Sequence, residues 1–116
     1  MLRDPRAFLW DARDAALAIQ AFTKGMDSAA YAANAMAQAA VERKFEVIGE
    51  ALSQLSRIDT ALASRVPDLA RIVAFRNQLI HGYASVNVGT VWNVLTSAIP
   101  PLLSAIQSML ADAEPE

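Results

Sequence analysis

The densest run of chemically capable side chains in this chain is Phe75-Arg76-Asn77-Gln78-Leu79-Ile80-His81-Gly82-Tyr83. His81 is the only histidine, and an imidazole titrating near neutrality serves as general base and general acid. Arg76 offers a planar fork of N–H donors that fits phosphate or carboxylate oxygens. Tyr83 adds a phenol two residues beyond the histidine, past a glycine that lets the chain turn. An anion-holding fork, a proton shuttle and a hydroxyl together suit metal-free cleavage of a phosphodiester. The base removes a ribose 2′-OH proton, and the guanidinium stabilises charge growing on the non-bridging phosphate oxygens. DNA lacks that hydroxyl, so this chemistry selects RNA.

Plainer roles compete with that reading. A lone histidine near a helix C-terminus is a favourable charge on the helix dipole. With 8 arginines in 116 residues, an arginine five places before a given histidine arises by chance about once in fifteen trials. Five residues on an ideal helix also turn about 140° around its axis, so Arg76 and His81 do not stack on one face. Either the helix unwinds at Gly82, or a second chain completes the site. A symmetric dimer pairing two arginines and two histidines across its axis supplies both the geometry and a separate acid and base.

Arg76 falls on the apolar stripe of its helix, and a guanidinium there needs a partner or a cleft. Glu42, Glu46 and Glu50 stand at i, i+4 and i+8, where like charges repel. The simple reading is a solvated face balanced by Arg43, Lys44 and Arg57. The sharper one is that Glu46 or Glu50 orients Arg76 from the neighbouring helix.

Composition narrows the alternatives. The 116 residues predict one domain with a substantial core. The chain has no cysteine, which removes disulfides and thiolate metal sites. It also lacks the P-loop, nucleophile-elbow and zinc-protease patterns, and one histidine builds no zinc site alone. No metal or cofactor is expected. The net charge of −2 and pI near 5.3 argue against a broad phosphate-neutralising surface, so RNA contact must rest on a few arginines. The apolar run at Ala7–Trp10 is too short for a signal peptide, and no uninterrupted apolar stretch reaches a membrane span. The expectation is a cytoplasmic protein.

Helical periodicity predicts an antiparallel all-α bundle of four main helices and one short one. Asp4 and Pro5 start the first helix, with Phe8, Leu9, Ala12, Ala16, Ile19 and, at its end, Phe22 facing inward and Gly25 stopping it. A long second helix is expected from Asp27 or Ser28 to about Arg57. Its Ala-rich first half reads as a packing surface, and Gly49 inside its second half marks close approach by another backbone or a ligand. Asp59 caps a short turn over Thr60–Arg65. Asp68 caps a third helix from Leu69 to His81, with a core face of Leu69, Ile72, Val73, Arg76, Leu79 and Ile80. A loop over Tyr83–Gly89 precedes a final helix from about Thr90 to Leu110, which Pro100-Pro101 must kink or break. The tail 111–116 is expected to fray. An apolar content of 54% points to a face buried in an oligomer.

Arg76-Asn77-Gln78-Leu79-Ile80-His81-Gly82-Tyr83 resembles the R-x4-H-x-Y motif of the HEPN superfamily, specifically the HepT-like toxins. The likeness extends to Val41–Ala51, with its Ile48-Gly49-Glu50-Ala51 run, to Arg71–Asn77, and to Val91-Trp92, Leu95 and Ile99-Pro100. It covers about residues 41–103. The resemblance implies an all-α homodimer that cleaves RNA without metal as the toxin of a toxin–antitoxin pair. It makes Arg76 and His81 the catalytic pair and Asn77 a supporting contact; Glu46 and Glu50 are expected as further supporting residues from their helical spacing alone. It also implies a minimal nucleotidyltransferase antitoxin that transfers AMP to Tyr83, blocking the phosphate site by charge and bulk. The alternative is a non-catalytic HEPN module that binds a nucleotide or such a partner.

Overall fold

The structure, a computed structural model, describes residues 3–82 and 86–113. Among these the chain is all-α, with six helices and no strand. α1 runs over Pro5–Phe22, α2 over Ser28–Ala32, α3 over Ala35–Ile58, α4 over Thr60–Ala63, α5 over Leu69–His81 and α6 over Val88–Ala113. α3 is the central element. α1 and α5 both pack along it, while α6 lies against α1 and α2.

Local signals set most of the boundaries. The Asp4 carboxylate accepts from the Arg6 amide at 2.9 Å, with Pro5 in the first turn of α1. Hydrogen bonds from Arg6 hold the Asp4 pKa below the usual carboxylate range. At the other end the buried Thr23 hydroxyl donates to the Ile19 carbonyl at 2.9 Å, and Gly25 takes φ +79. Asp59 caps α4 by accepting from the Leu62 amide at 2.9 Å.

The expected long second helix is two helices. Asp27 opens α2, but Asn34 takes an extended conformation and caps α3, accepting from the Ala37 amide at 2.9 Å. Gln38 donates from Nε2 to the carbonyls of Tyr31 and Ala32 at 2.9 and 3.1 Å, joining the Asn34 amide on the first and engaging the second at the end of α2. A short polar side chain thus offers the backbone an alternative to continuing the helix. The break turns Tyr31 into the core, fully buried and packed on Trp92 with ring centroids 5.3 Å apart. Within one chain the Ala-rich segment is not a packing surface. Only Tyr31 and Ala37 are buried there, and Ala29, Ala30, Ala32, Ala33, Ala35 and Ala39 are exposed.

Further expectations are corrected. Asp68 stands at the start of α5 with φ +57 and makes no capping hydrogen bond; its carboxylate faces Arg71 at 3.7 Å instead. On α5, Ile72 and Phe75 are buried and Leu69, Val73 and Leu79 pack partly buried against the core, whereas Ile80 is exposed, as is Phe22 at the end of the expected α1 stripe. α6 continues through Pro100 and Pro101. Both prolines are exposed, and the carbonyls that lose a donor belong to exposed Thr96 and Ser97, where water replaces the missing bonds. By length and composition alone, Val88–Asp112 does reach what a membrane span requires. Its apolar face, including Leu95, Ile99, Leu102 and Ile106, is nevertheless buried in the bundle, and Thr90, Asn93, Ser104 and Gln107 face outward.

The centre of the bundle is dry. Leu9, Ile19, Phe45, Ile48, Leu52, Ile72, Ile99, Leu102 and Ile106 are all below 2% exposed, and each such side chain stabilises by about 1.5–3 kcal/mol. Phe75 meets Phe45 edge-to-face at 5.1 Å, which fixes the rotation of α5 on α3. That rotation decides where Arg76 and His81 point.

Candidate active site on the fifth helix

With Ile72 and Phe75 turned inward, Arg76 leaves α5 toward α3 and its aliphatic stem crosses Gly49. A Cβ on residue 49 would overlap the Cβ and Cγ of Arg76 and lie 3.2 Å from its Cδ. The close approach expected at this mid-helix glycine is therefore a neighbouring side chain. At its far end the guanidinium donates from Nη2 to Oε2 of Glu50 and from Nη1 to Oδ1 of Asn77, the latter at 2.8 Å. Gln54, one turn along α3, donates to the other Glu50 oxygen at 3.1 Å. That contact follows an i, i+4 spacing the sequence displays, although Gln54 was not among the expected residues.

The pair lies at the edge of the core: the Arg76 side chain is 19% exposed and that of Glu50 48%. The Arg76 Nε is buried and has no hydrogen-bond partner, so the fork keeps one donor unused. Charge compensation by Glu50 is what allows a guanidinium on this apolar stripe. Glu46 does not join it; its carboxylate meets Arg43 on its own helix at 3.4 Å. Glu42 is half-buried. Burial, and then the like charge of Glu46, raise its pKa.

His81 is the last residue of α5 and is exposed, with Gly82 following at φ +60. The helix is intact through His81, so it does not unwind to redirect the imidazole. Helical geometry puts His81 about 140° around the axis from Arg76 and about 7.5 Å along it. One chain thus joins Arg76, Asn77 and Glu50, and leaves His81 on another face. Tyr83 lies outside the described residues. Among the described residues no three His, Asp or Glu side chains converge as metal ligands.

Two openings border these residues. A cleft of about 210 Å³ between α1 and α3 is lined by Arg3, Asp11, Arg43, Glu46 and Glu50 among others. A groove of about 280 Å³ between α5 and α6 is lined by Arg71, Ala74, Phe75, Gln78, Thr90, Asn93 and Val94.

The chain is similar to two Methanocaldococcus jannaschii proteins that are provisionally named RNases. One is 32% identical over 116 residues, covering 98% of this chain and 93% of the relative. The other is 32% identical over 112 residues, covering 97% and 96%. A Thermococcus cleftensis protein provisionally named ribonuclease HepT is 29% identical over 111 residues, covering 94% and 98%. No solved structure matches at a significant level. Residues 12–109 match the family described as ribonuclease HepT-like, a span that includes α3, α5 and both halves of the R-x4-H pair. The chain belongs to the ribonuclease HepT-like family.

Proposed function

We propose that this protein is a metal-independent endoribonuclease that acts as a homodimer, with Arg76 and His81 of both chains meeting in one RNA-cleaving site. The observation that carries this reading is the arrangement at Arg76, a guanidinium held at the edge of the core by Glu50 and Asn77. Its fork holds the scissile phosphate. One His81 removes the 2′-OH proton, and the 2′-oxygen bonds to phosphorus as the bond to the 5′-oxygen breaks. The second His81 returns a proton to that leaving oxygen, producing a 2′,3′-cyclic phosphate and a free 5′-hydroxyl. The separation of Arg76 and His81 around α5 supports the need for two chains.

The chain is one HEPN-type domain and works in the cytoplasm as the toxin of a toxin–antitoxin pair. Its partner is a minimal nucleotidyltransferase. The Tyr83 oxygen attacks the α-phosphorus of ATP on that partner and pyrophosphate departs, leaving an AMP phosphodiester beside the RNA site. Added negative charge and bulk then exclude the substrate.

Controlled expression of wild-type and His81→Ala protein in a bacterial host, scored for growth and RNA integrity together, tests the reading. Arrest with RNA breakdown is expected from the wild type alone, and purified protein should cleave in excess EDTA. If the wild type leaves RNA intact yet co-purifies with a nucleotidyltransferase, the non-catalytic binding module replaces it. Intact protein co-expressed with its partner should carry AMP on Tyr83 by mass spectrometry.

A further inference from the structure

We propose that the groove between α5 and α6 binds a nucleobase of single-stranded RNA next to the cleaved phosphate, and so sets base preference. This rests on the ribonuclease reading above and adds a subsite to it. Buried Phe75 and Val94 give it an apolar base, and exposed Ala74, Arg71 and the two amides Gln78 and Asn93 line it nearer solvent. Neither amide has a hydrogen-bond partner among the described residues. Each offers both a donor and an acceptor, the combination that reads base edges, and single-stranded RNA presents unstacked bases to such groups. Arg71 is held in place by Ser97 at 3.1 Å and Asp68 at 3.7 Å, where it can also meet a backbone phosphate.

Charge favours the same occupant. The net charge is −2, yet there is no aspartate or glutamate between Asp68 and Asp112. The helices that form the groove therefore bring no carboxylate into its lining, and the Asp68 carboxylate near its edge is paired with Arg71. Position links it to the chemistry. Ala74, Gln78 and His81 follow at i, i+4 and i+7 along α5, which places them on one face. Gln78 is one helical turn from the imidazole, so a base seated against it brings its ribose toward His81.

Titration of isotope-labelled wild-type protein with four 2′-O-methylated homopolymeric RNA oligonucleotides, which resist cleavage, tests the proposal by NMR. The side-chain amide resonances of Gln78 and Asn93 are expected to shift, with one base bound about fivefold or more tightly than another. Gln78→Ala combined with Asn93→Ala should erase that preference, and Arg71→Ala should weaken all four oligonucleotides alike. All three positions are exposed, so these variants should fold. RNA binding that leaves both amides unmoved overturns the proposal. Shifts that follow protein concentration without RNA also overturn it, because a second copy then fills the groove. Cleavage of unmodified RNA is scored separately. Its absence with the amides responding would sink the nuclease reading and keep the groove; its presence with silent amides does the reverse.

Discussion

The cleft between α1 and α3 and the groove between α5 and α6 are similar in size, but they differ in charge. Asp11, Glu46 and Glu50 outnumber Arg3 and Arg43 in the first, whereas the second has an arginine and no acid. Arg76 belongs to the helix of the second and reaches toward the first, where Glu50 holds it. An overall pI near 5.3 averages these two environments and describes neither. What matters to a polyanion is the local field within a Debye length, roughly 8–10 Å. A net-acidic protein can therefore present a face on which RNA meets little repulsion, the nearby Asp68 carboxylate being paired with Arg71. The acidic cleft does a different job: through Glu50 it aims a guanidinium at the edge of an apolar bundle.

The contrast can be broken at four places. Arg76→Lys should have the largest effect, because a point charge replaces the fork that spans both environments; RNA cleavage should fall about 10²-fold or more with the fold intact by circular dichroism. Gly49→Ala follows. Helix propensity favours alanine by about 1 kcal/mol, but the new methyl would overlap atoms of Arg76 close to the backbone. Packing should win, with a net loss of about 1–3 kcal/mol in urea unfolding; a stabilised variant would mean that α3 and α5 are not in such close contact. Ala74→Glu places a carboxylate in the groove and should weaken RNA binding about tenfold by fluorescence anisotropy. Ala61→Glu, at an exposed position of α4, should leave binding unchanged.

The smallest effect concerns the acid stripe itself. The Glu42 pKa is raised in the folded state by burial and by Glu46. Below the ordinary carboxylate range both folded and unfolded forms are protonated, and the shift costs nothing. As pH rises through the ordinary value toward the raised one, the unfolded chain loses its proton first and stability falls. Glu42→Gln should therefore gain a few tenths of a kcal/mol at pH 7 and nothing at pH 3, read from unfolding curves at both pH values.

Much of the architecture was legible in the residues. Asp4-Pro5, Asp27 and Asp59 announce helix starts because their side chains accept from amides two or three residues ahead, a relation contained within one turn. The R-x4-H pair and the glycine at 49 were equally visible. The split at Asn34 was not foreseen, since alanine on both sides favours continuing the helix, and the Asn34 cap on Ala37 together with Gln38 reaching back to Tyr31 and Ala32 tips the balance. Passage through Pro100-Pro101 depends on those prolines facing water, which is a property of how α6 lies on the bundle.

Sequence alone determined the helical class, the caps at Asp4, Asp27 and Asp59, and the short list of groups able to do chemistry, because these depend on neighbours within a turn or two. Three things were left to the tertiary structure: which glutamate meets Arg76, where His81 points, and which surface is free of acids. Each depends on the rotation of α5 against α3, set by Ile72 and by Phe75 on Phe45. The glutamates at 46 and 50 are separated by one helical turn. Only the docking of α5 brings Glu50 within reach of the guanidinium and leaves Glu46 to Arg43.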